Sequence, residues 1–262
     1  MTVAGASPPR IAFIHIPKCG GTSVAIALRR AYAPRLRSGL DRLLRRPPVR
    51  YRGIEATASV RASTVTGIPL PVLRTALLSY HLASDNPGVV GGHVPFSRLI
   101  GETFAPRWRF VTILRDPVDR FFSEYFYNRY KTSDHFRIRE ELPEYLDTPD
   151  AVRTSSQMVN FLTGRADTHC PPSFDEAETA KANLDYFSVI GFVDDMDAFA
   201  SRMAACFGKR PVLGVRNTSP APESERRLGA DPDIRRRVAR LCEADVEVYH
   251  AARSLHEKAP AP

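Results

Sequence analysis

The sequence predicts a three-layer α/β fold with a central, mainly parallel sheet flanked by helices. Apolar runs at 11–16, 88–92, 108–114 and 187–193 read as strands, and helical patterns separate them, as crossover-connected parallel strands require. Two of these runs stop at short polar turns that open helices, the arrangement in which backbone N–H groups meet an anion. With 262 residues and 43% hydrophobic content, the chain can bury one sizeable core, so one domain spanning 1–262 is expected.

The elements follow in order. Ile11 to Ile16 form a buried strand ending at Pro17-Lys18-Cys19-Gly20-Gly21-Thr22-Ser23, and Val24 to Tyr32 read as a helix capped by Thr22 or Ser23. The lysine precedes the glycines, so this is not the G-x-x-x-x-G-K-[ST] nucleotide loop, yet a lysine at a strand end can reach a phosphate oxygen as a point charge. Taken alone, residues 14–23 fit an ordinary strand-turn-helix junction equally well. Residues 34–52 carry seven arginines against Asp41, broken by Pro34, Pro47 and Pro48; a solvated connection is expected there, with gathering of an acidic acceptor as the other reading. A helix over 71–84 precedes the strand at 88–92, which delivers His93 from a glycine-rich edge. The run WRFVTIL at 108–114 ends at Arg115. Asp116 then suits the N-cap, Pro117 the first helical position and Asp119 the first turn of a helix over 118–130 that carries Ser123. Arg115 otherwise pairs with a carboxylate, and Ser123 is otherwise a neutral helix residue. Helical patterns near 155–163, 175–186, 194–207 and 233–255 complete the chain.

Seven histidines are present, and by itself His93 is more simply a structural histidine. His15, inside the first strand, reads as a core or supporting group. Cys19 lacks the arginine six positions on that a cysteine phosphatase needs, because that residue is Ala25; its expected contribution is its backbone N–H.

Taken together, Pro17 to Ser23 and Arg115-Asp116-Pro117 through Ser123 resemble the two phosphosulfate-binding elements of the PAPS-dependent sulfotransferases (PAPS is 3′-phosphoadenosine 5′-phosphosulfate). Gly91-Gly92-His93-Val94-Pro95-Phe96 is similar to the Gly-His segment of the glycan branch, especially the uronosyl 2-O-sulfotransferases. The resemblance extends to bacterial members and, more loosely, to residues 189–193, Asn217-Thr218-Ser219 and the final helix. It implies a P-loop-like fold and transfer of a sulfuryl group from PAPS to a hydroxyl, leaving adenosine 3′,5′-bisphosphate without a metal. It further implies that Lys18, Cys19, Gly20, Gly21, Thr22 and Ser23 hold the 5′-phosphosulfate, Arg115 and Ser123 the 3′-phosphate, and Asn217 and Thr218 a loop over the nucleotide. His93 would be the base, with Lys18 acting on the departing phosphate. The acceptor would be a glycan, lipid or other hydroxylated small molecule, walled by residues 128–144 and 155–161, with Tyr127, Tyr130, His135, Arg137, Gln157 and Asn160 as candidates. The uronosyl enzymes have a second histidine where this chain has Gly91, which puts two-histidine mechanisms and a uronic acid acceptor in doubt.

No run reaches membrane-span length, and Met1 to Arg10 lacks the apolar core of a signal peptide. A cytoplasmic setting is therefore expected, and because the eukaryotic glycan sulfotransferases that the chain resembles are Golgi-anchored, the resemblance implies a bacterial one. Cys19, Cys170, Cys206 and Cys242 have neither zinc-site nor disulfide spacing, so reduced thiols are expected. The formal charge of +8 comes without a nucleic-acid-binding module. Two other functions fit parts of the pattern: a small-molecule kinase, which would want a lysine after the glycines, and a nucleotide- or polyanion-binding protein without turnover.

Overall fold

The computed structural model describes residues 9–33, 49–84, 86–214 and 222–258. Asn217, Thr218 and the basic segment as far as residue 48 lie outside the described residues. Five strands, β1 (Arg10–Ile14), β2 (Arg50–Ile54), β3 (Gly88–Gly92), β4 (Arg109–Leu114) and β5 (Phe187–Phe192), form one sheet in the order β2-β3-β1-β4-β5. Every neighbouring pair is parallel. The sheet is flanked by helices, the α/β arrangement that the alternation of patterns predicts.

One strand was not expected. Residues 50–52 fall in the segment read as a solvated connection, but Arg50–Ile54 pairs with all of β3 as an edge strand. Its two arginines and a glycine hide any apolar alternation, and an edge strand open on one side tolerates them.

Thirteen α-helices are described: α1 (Gly21–Tyr32), α2 (Ala56–Thr66), α3 (Leu70–Ala83), α4 (Arg98–Phe104), α5 (Pro117–Tyr130), α6 (Leu142–Tyr145), α7 (Pro149–Ser155), α8 (Gln157–Thr163), α9 (Phe174–Asn183), α10 (Met196–Phe207), α11 (Glu223–Leu228), α12 (Pro232–Leu241) and α13 (Glu243–Lys258). α5 starts as its sequence dictates, with the Asp116 carboxylate accepting the Asp119 N–H at 2.9 Å and Pro117 at the first helical position. α1 does not. Its cap is Gly20 at φ 71°, with no side-chain hydrogen bond, and the helix begins at Gly21, so neither Thr22 nor Ser23 caps it. The expected helix over 155–163 is interrupted at Ser156, and that over 233–255 at Cys242.

A large core covers the sheet around Phe13, Ile14, Val90, Phe110, Val111, Leu28 and Phe199. The fully buried Trp108 ties α3 to the start of β4 by donating its indole N–H to the Leu82 carbonyl at 2.8 Å. A second apolar cluster joins Phe121, Phe122, Tyr125 and Phe126 of α5 to Ile138, Leu142, Tyr145, Leu146, Val238 and Cys242. It fixes α5 against the loop and helices that follow it.

α13 brings the buried Asp245 to the start of α8, where its two carboxylate oxygens accept the N–H groups of Met158 at 2.8 Å and Val159 at 3.0 Å. Burial pushes its pKa up to about 6, against the pull of the nearby Arg120 guanidinium. The folded pKa lies above the ordinary value. The stabilisation tied to this shift is therefore complete below about pH 4 and lost as pH rises through about 6. In urea unfolding, the stability advantage of the native protein over Asp245→Asn should be larger at pH 4 than at pH 7. The reverse order would show that the carboxylate, not the acid, is the better cap.

Candidate functional site

The sheet order places β1 in the centre, with its onward connection running to the β2 side and that of β4 to the β5 side. The cleft between the carboxyl ends of β1 and β4 is thus the topological switch point, where open α/β sheets bind ligands. Register aligns Ile14 of β1 with Gly92 of β3 on one side and Thr112 of β4 on the other. His15, His93 and Arg115 therefore leave the sheet at one edge.

The turn after β1 is shaped by two glycines and a lysine. Gly20 takes a left-handed conformation that glycine adopts without strain. Gly21 is required by close approach, since an added Cβ would overlap the His15 ring. No side chain caps the amides opening α1, where the Ser23 N–H turns back to the Gly20 carbonyl at 3.1 Å, beside the exposed Thr22 and the half-buried Ser23 side chains. Lys18 is itself at φ 65°, and its ammonium lies 3.4 Å from the centre of the Tyr127 ring on α5. Burial lowers the Lys18 pKa to about 8; the carboxylate of Glu124 opposes this, while Arg115, Lys131 and Arg120 add to it. Cys19 is fully buried. Its thiol is pushed up to about 12 by burial, although Arg120, Arg115 and the Arg115 backbone N–H favour the thiolate. A thiol held protonated is no nucleophile, and its packing links the first turn to the second.

Arg115 and Ser123 are both half-buried, and neither side chain has a hydrogen-bond or ion-pair partner among the described residues. Ser123 lies one residue before Glu124 and one helical turn before Tyr127. Glu124 is buried, paired with the fully buried Arg120 at 2.6 Å and 3.9 Å from Arg153. Arg120 also donates to the Thr154 carbonyl, so the carboxylate is held rigidly beside the cleft.

His93 comes to the same place. Its Nδ1 lies 2.9 Å from the His15 carbonyl, so Nδ1–H donates there and Nε2 carries the lone pair. Burial lowers the His93 pKa, with the His15 carbonyl bond opposing. The His15 ring packs 4.0 Å from the His93 ring, centre to centre. Burial first, then His93 and Lys18, lowers its pKa well below the usual value, so both rings are neutral near pH 7. Position 91 supplies no second histidine, but a second imidazole does lie beside His93, contributed by the residue after β1. At position 91 an added Cβ would already sit 3.0 Å from the Phe13 Cβ and carbonyl oxygen, leaving no room for a side chain.

Two acceptor candidates lie inside the fold. Gln157 and Asn160 are buried, Gln157 donating to the Arg153 carbonyl and Asn160 accepting from Arg165. Tyr127 and His135 remain near the cleft. The sequence reading missed Glu124, whose signal was its i,i+4 spacing from Arg120 on the helix carrying Ser123, and the approach of Tyr127 to Lys18. Among the described residues, no group of three or more His, Cys, Asp or Glu side chains is arranged to hold a metal ion, and no helix is long and apolar enough to cross a membrane.

The negative face of Tyr127 favours the Lys18 ammonium. Tyr127→Leu should therefore lower the Lys18 pKa by roughly half a unit to one unit, while Tyr127→Phe keeps it near 8. The pH dependence of Lys18 acetylation, followed by peptide mass spectrometry, reads this directly. An unchanged pKa in the leucine variant would remove the ring from the account.

No protein-family model matches the chain, and no curated protein sequence does. Among solved structures the chain is similar to a sulfotransferase from Alicyclobacillus acidocaldarius, at 14% identity and a TM-score of 0.40, over 97% of this chain and 98% of that one.

Proposed function

We propose that the protein transfers a sulfuryl group from PAPS to an acceptor hydroxyl. One observation carries the reading: cations at the ends of adjacent strands, Lys18 after β1 and Arg115 after β4, share a sheet edge with a tautomer-fixed histidine at the end of β3. Two anion-holding junctions beside one poised base are what a doubly phosphorylated donor and a hydroxyl acceptor require. The resemblance of residues 17–23, 91–96 and 115–123 to the sulfotransferase elements supports the same assignment.

In the proposed reaction the amides opening α1 and the Lys18 ammonium bind the 5′-phosphosulfate, and Arg115 with Ser123 binds the 3′-phosphate. The acceptor oxygen attacks sulfur as the bond to the bridging phosphate oxygen breaks. Negative charge grows on that phosphate, where Lys18 stabilises it, and His93 Nε2 takes the hydroxyl proton. By analogy with phosphoryl transfer, most of the acceleration comes from positioning and fixed charge. The products are a sulfate ester and adenosine 3′,5′-bisphosphate. Asn217 and Thr218 would complete the nucleotide contacts, and the expected setting is the bacterial cytoplasm.

Thermal unfolding tests donor recognition without an acceptor. Adenosine 3′,5′-bisphosphate at 100 times its Kd should add about 2.7 kcal/mol, ADP at the same concentration should add less, and Arg115→Gln should erase the difference. Equal stabilisation by both nucleotides would count against the 3′-phosphate assignment. With labelled PAPS and extract of the source organism, His93→Ala should slow transfer roughly 100-fold to 10,000-fold, with Lys18→Ala also impaired. Bisphosphate binding with no transfer to any acceptor would favour a binding protein instead.

The pH profile of kcat/KM follows from the two lowered pKa values. His93 must be neutral, so activity rises as pH climbs through a value below 6.5. Lys18 must be charged, so activity falls as pH passes about 8. A profile still rising at pH 9 would exclude the ammonium from the rate-determining step.

A further inference from the structure

We propose that the mouth of the cleft, beyond Lys18, is an acceptor subsite for a ring that carries an anionic group, its face on Phe136 and its charge on Lys131 and Arg74. The inference rests on the sulfuryl-transfer reading for the word acceptor, and on the following observations for the site.

Phe136 occupies a turn closed by the Arg137 N–H donating to the Asp134 carbonyl at 3.0 Å, with φ 55°. Among the described non-glycine residues only Lys18 shares a positive φ. A large side chain in that conformation is strained where glycine or asparagine would not be. Burial does not offset the strain, because Phe136 is 50% exposed. The ring is nevertheless held in place, 4.1 Å from the His135 ring and 4.8 Å from the Arg153 guanidinium. An aromatic face is thus presented to solvent at a backbone cost, a combination that clusters at ligand sites.

The charges around it are unequal in their compensation. Arg153 is paired with Asp150 at 3.2 Å and lies near Glu124. Lys131 is held by neutral oxygens, the Asn128 side chain at 2.9 Å and the His135 carbonyl. Arg74 likewise donates to Ser59 Oγ at 2.9 Å and the Ala56 carbonyl at 3.5 Å. Neither has a carboxylate within ion-pair distance among the described residues. Both act on this mouth: Arg74 on His93 and His135, and Lys131 on Lys18 and His135. Tyr127, 46% exposed, connects the two halves, with Lys18 at 3.4 Å and Lys131 at 5.9 Å from its ring centre. Lys18 and Arg115 suffice for the two phosphate positions of the donor. Lys131 and Arg74 are left over, and a carboxylate, sulfate or phosphate on the acceptor would neutralise them within reach of His93.

The test titrates protein loaded with adenosine 3′,5′-bisphosphate with matched probes, 4-hydroxybenzoate against 4-hydroxybenzamide and methyl glucuronide against methyl glucoside. Calorimetry should show the acid of at least one pair binding about tenfold tighter than its neutral partner, and the preferred pair tells an aromatic from a sugar ring. Lys131→Gln and Arg74→Gln should each reduce that preference; Arg74→Lys, which keeps the charge, should retain it. Phe136→Gly should weaken both members of the preferred pair about equally, by up to about tenfold, while its Tm stays level or rises as the turn relaxes. Absence of any preference for the acid, or a Phe136→Gly protein with lowered Tm and unchanged probe affinity, overturns the subsite. Either result leaves the donor assignment standing, whereas failure to bind the bisphosphate at all overturns the reading beneath both.

Discussion

β1 is hydrogen-bonded along both edges, to β3 and to β4, in unbroken parallel register. A strand held on both sides cannot slip by one residue without turning every side chain to the opposite face. The buried run Ile11 to Ile14 fixes that choice. Where β1 stops then decides where the two neighbouring strands, β3 and β4, stop. The Lys18 turn, His93 and Arg115 are side by side because their strands are in register, and no long-range contact between their side chains is needed to assemble them. Beyond the ladder the His15 N–H donates to the Gly92 carbonyl at 3.0 Å, extending the same pairing by one bond. That bond seats the His15 carbonyl where His93 Nδ1 meets it.

Charge is concentrated on this edge beyond what its own carboxylates offset. Lys18 feels Arg115, Lys131 and Arg120 against Glu124, and its depressed pKa expresses that imbalance together with burial. Glu124 itself is committed to Arg120. The folded chain tolerates this repulsion, which an anion at the same edge would relieve. Tyr127 lessens the repulsion meanwhile by offering the Lys18 ammonium an aromatic face. The apolar cluster under α5 keeps that face in place, since Phe121, Phe122, Tyr125 and Phe126 anchor the helix while Tyr127 projects outward.

Much of this was legible in the sequence where one local rule acts alone. Asp116-Pro117 fixed the start of α5, and the apolar runs gave the sites of four strands. β2 was hidden because arginines on an edge strand look like a solvated connection. The cap of α1 was misread for a related reason: Thr22 and Ser23 are good capping residues, but the left-handed Gly20 ends the turn first and leaves the amides without a side-chain partner. The approach of His15 to His93 could not be read at all, because their 78-residue separation is closed only by strand pairing. Strain at Phe136 was equally invisible, since nothing in its neighbours demands a left-handed turn.

The two histidines also show why proximity need not mean shared chemistry. A ring nitrogen of His15 accepting from His93 would tie the two titrations together, so that protonating one changed the hydrogen bond of the other. The structure instead uses the His15 main-chain carbonyl, an acceptor that never titrates. His93 therefore keeps one tautomer whether or not His15 carries a proton, and the neighbouring ring contributes shape and desolvation. Gly21 and Gly91 serve that geometry from two sides: one lets the His15 ring rest on the start of α1, the other lets β3 lie close against Phe13. A side chain at Gly21 would force the His15 ring to move, and one at Gly91 would crowd the Phe13 Cβ and carbonyl oxygen, so both positions constrain the surroundings of the two imidazoles.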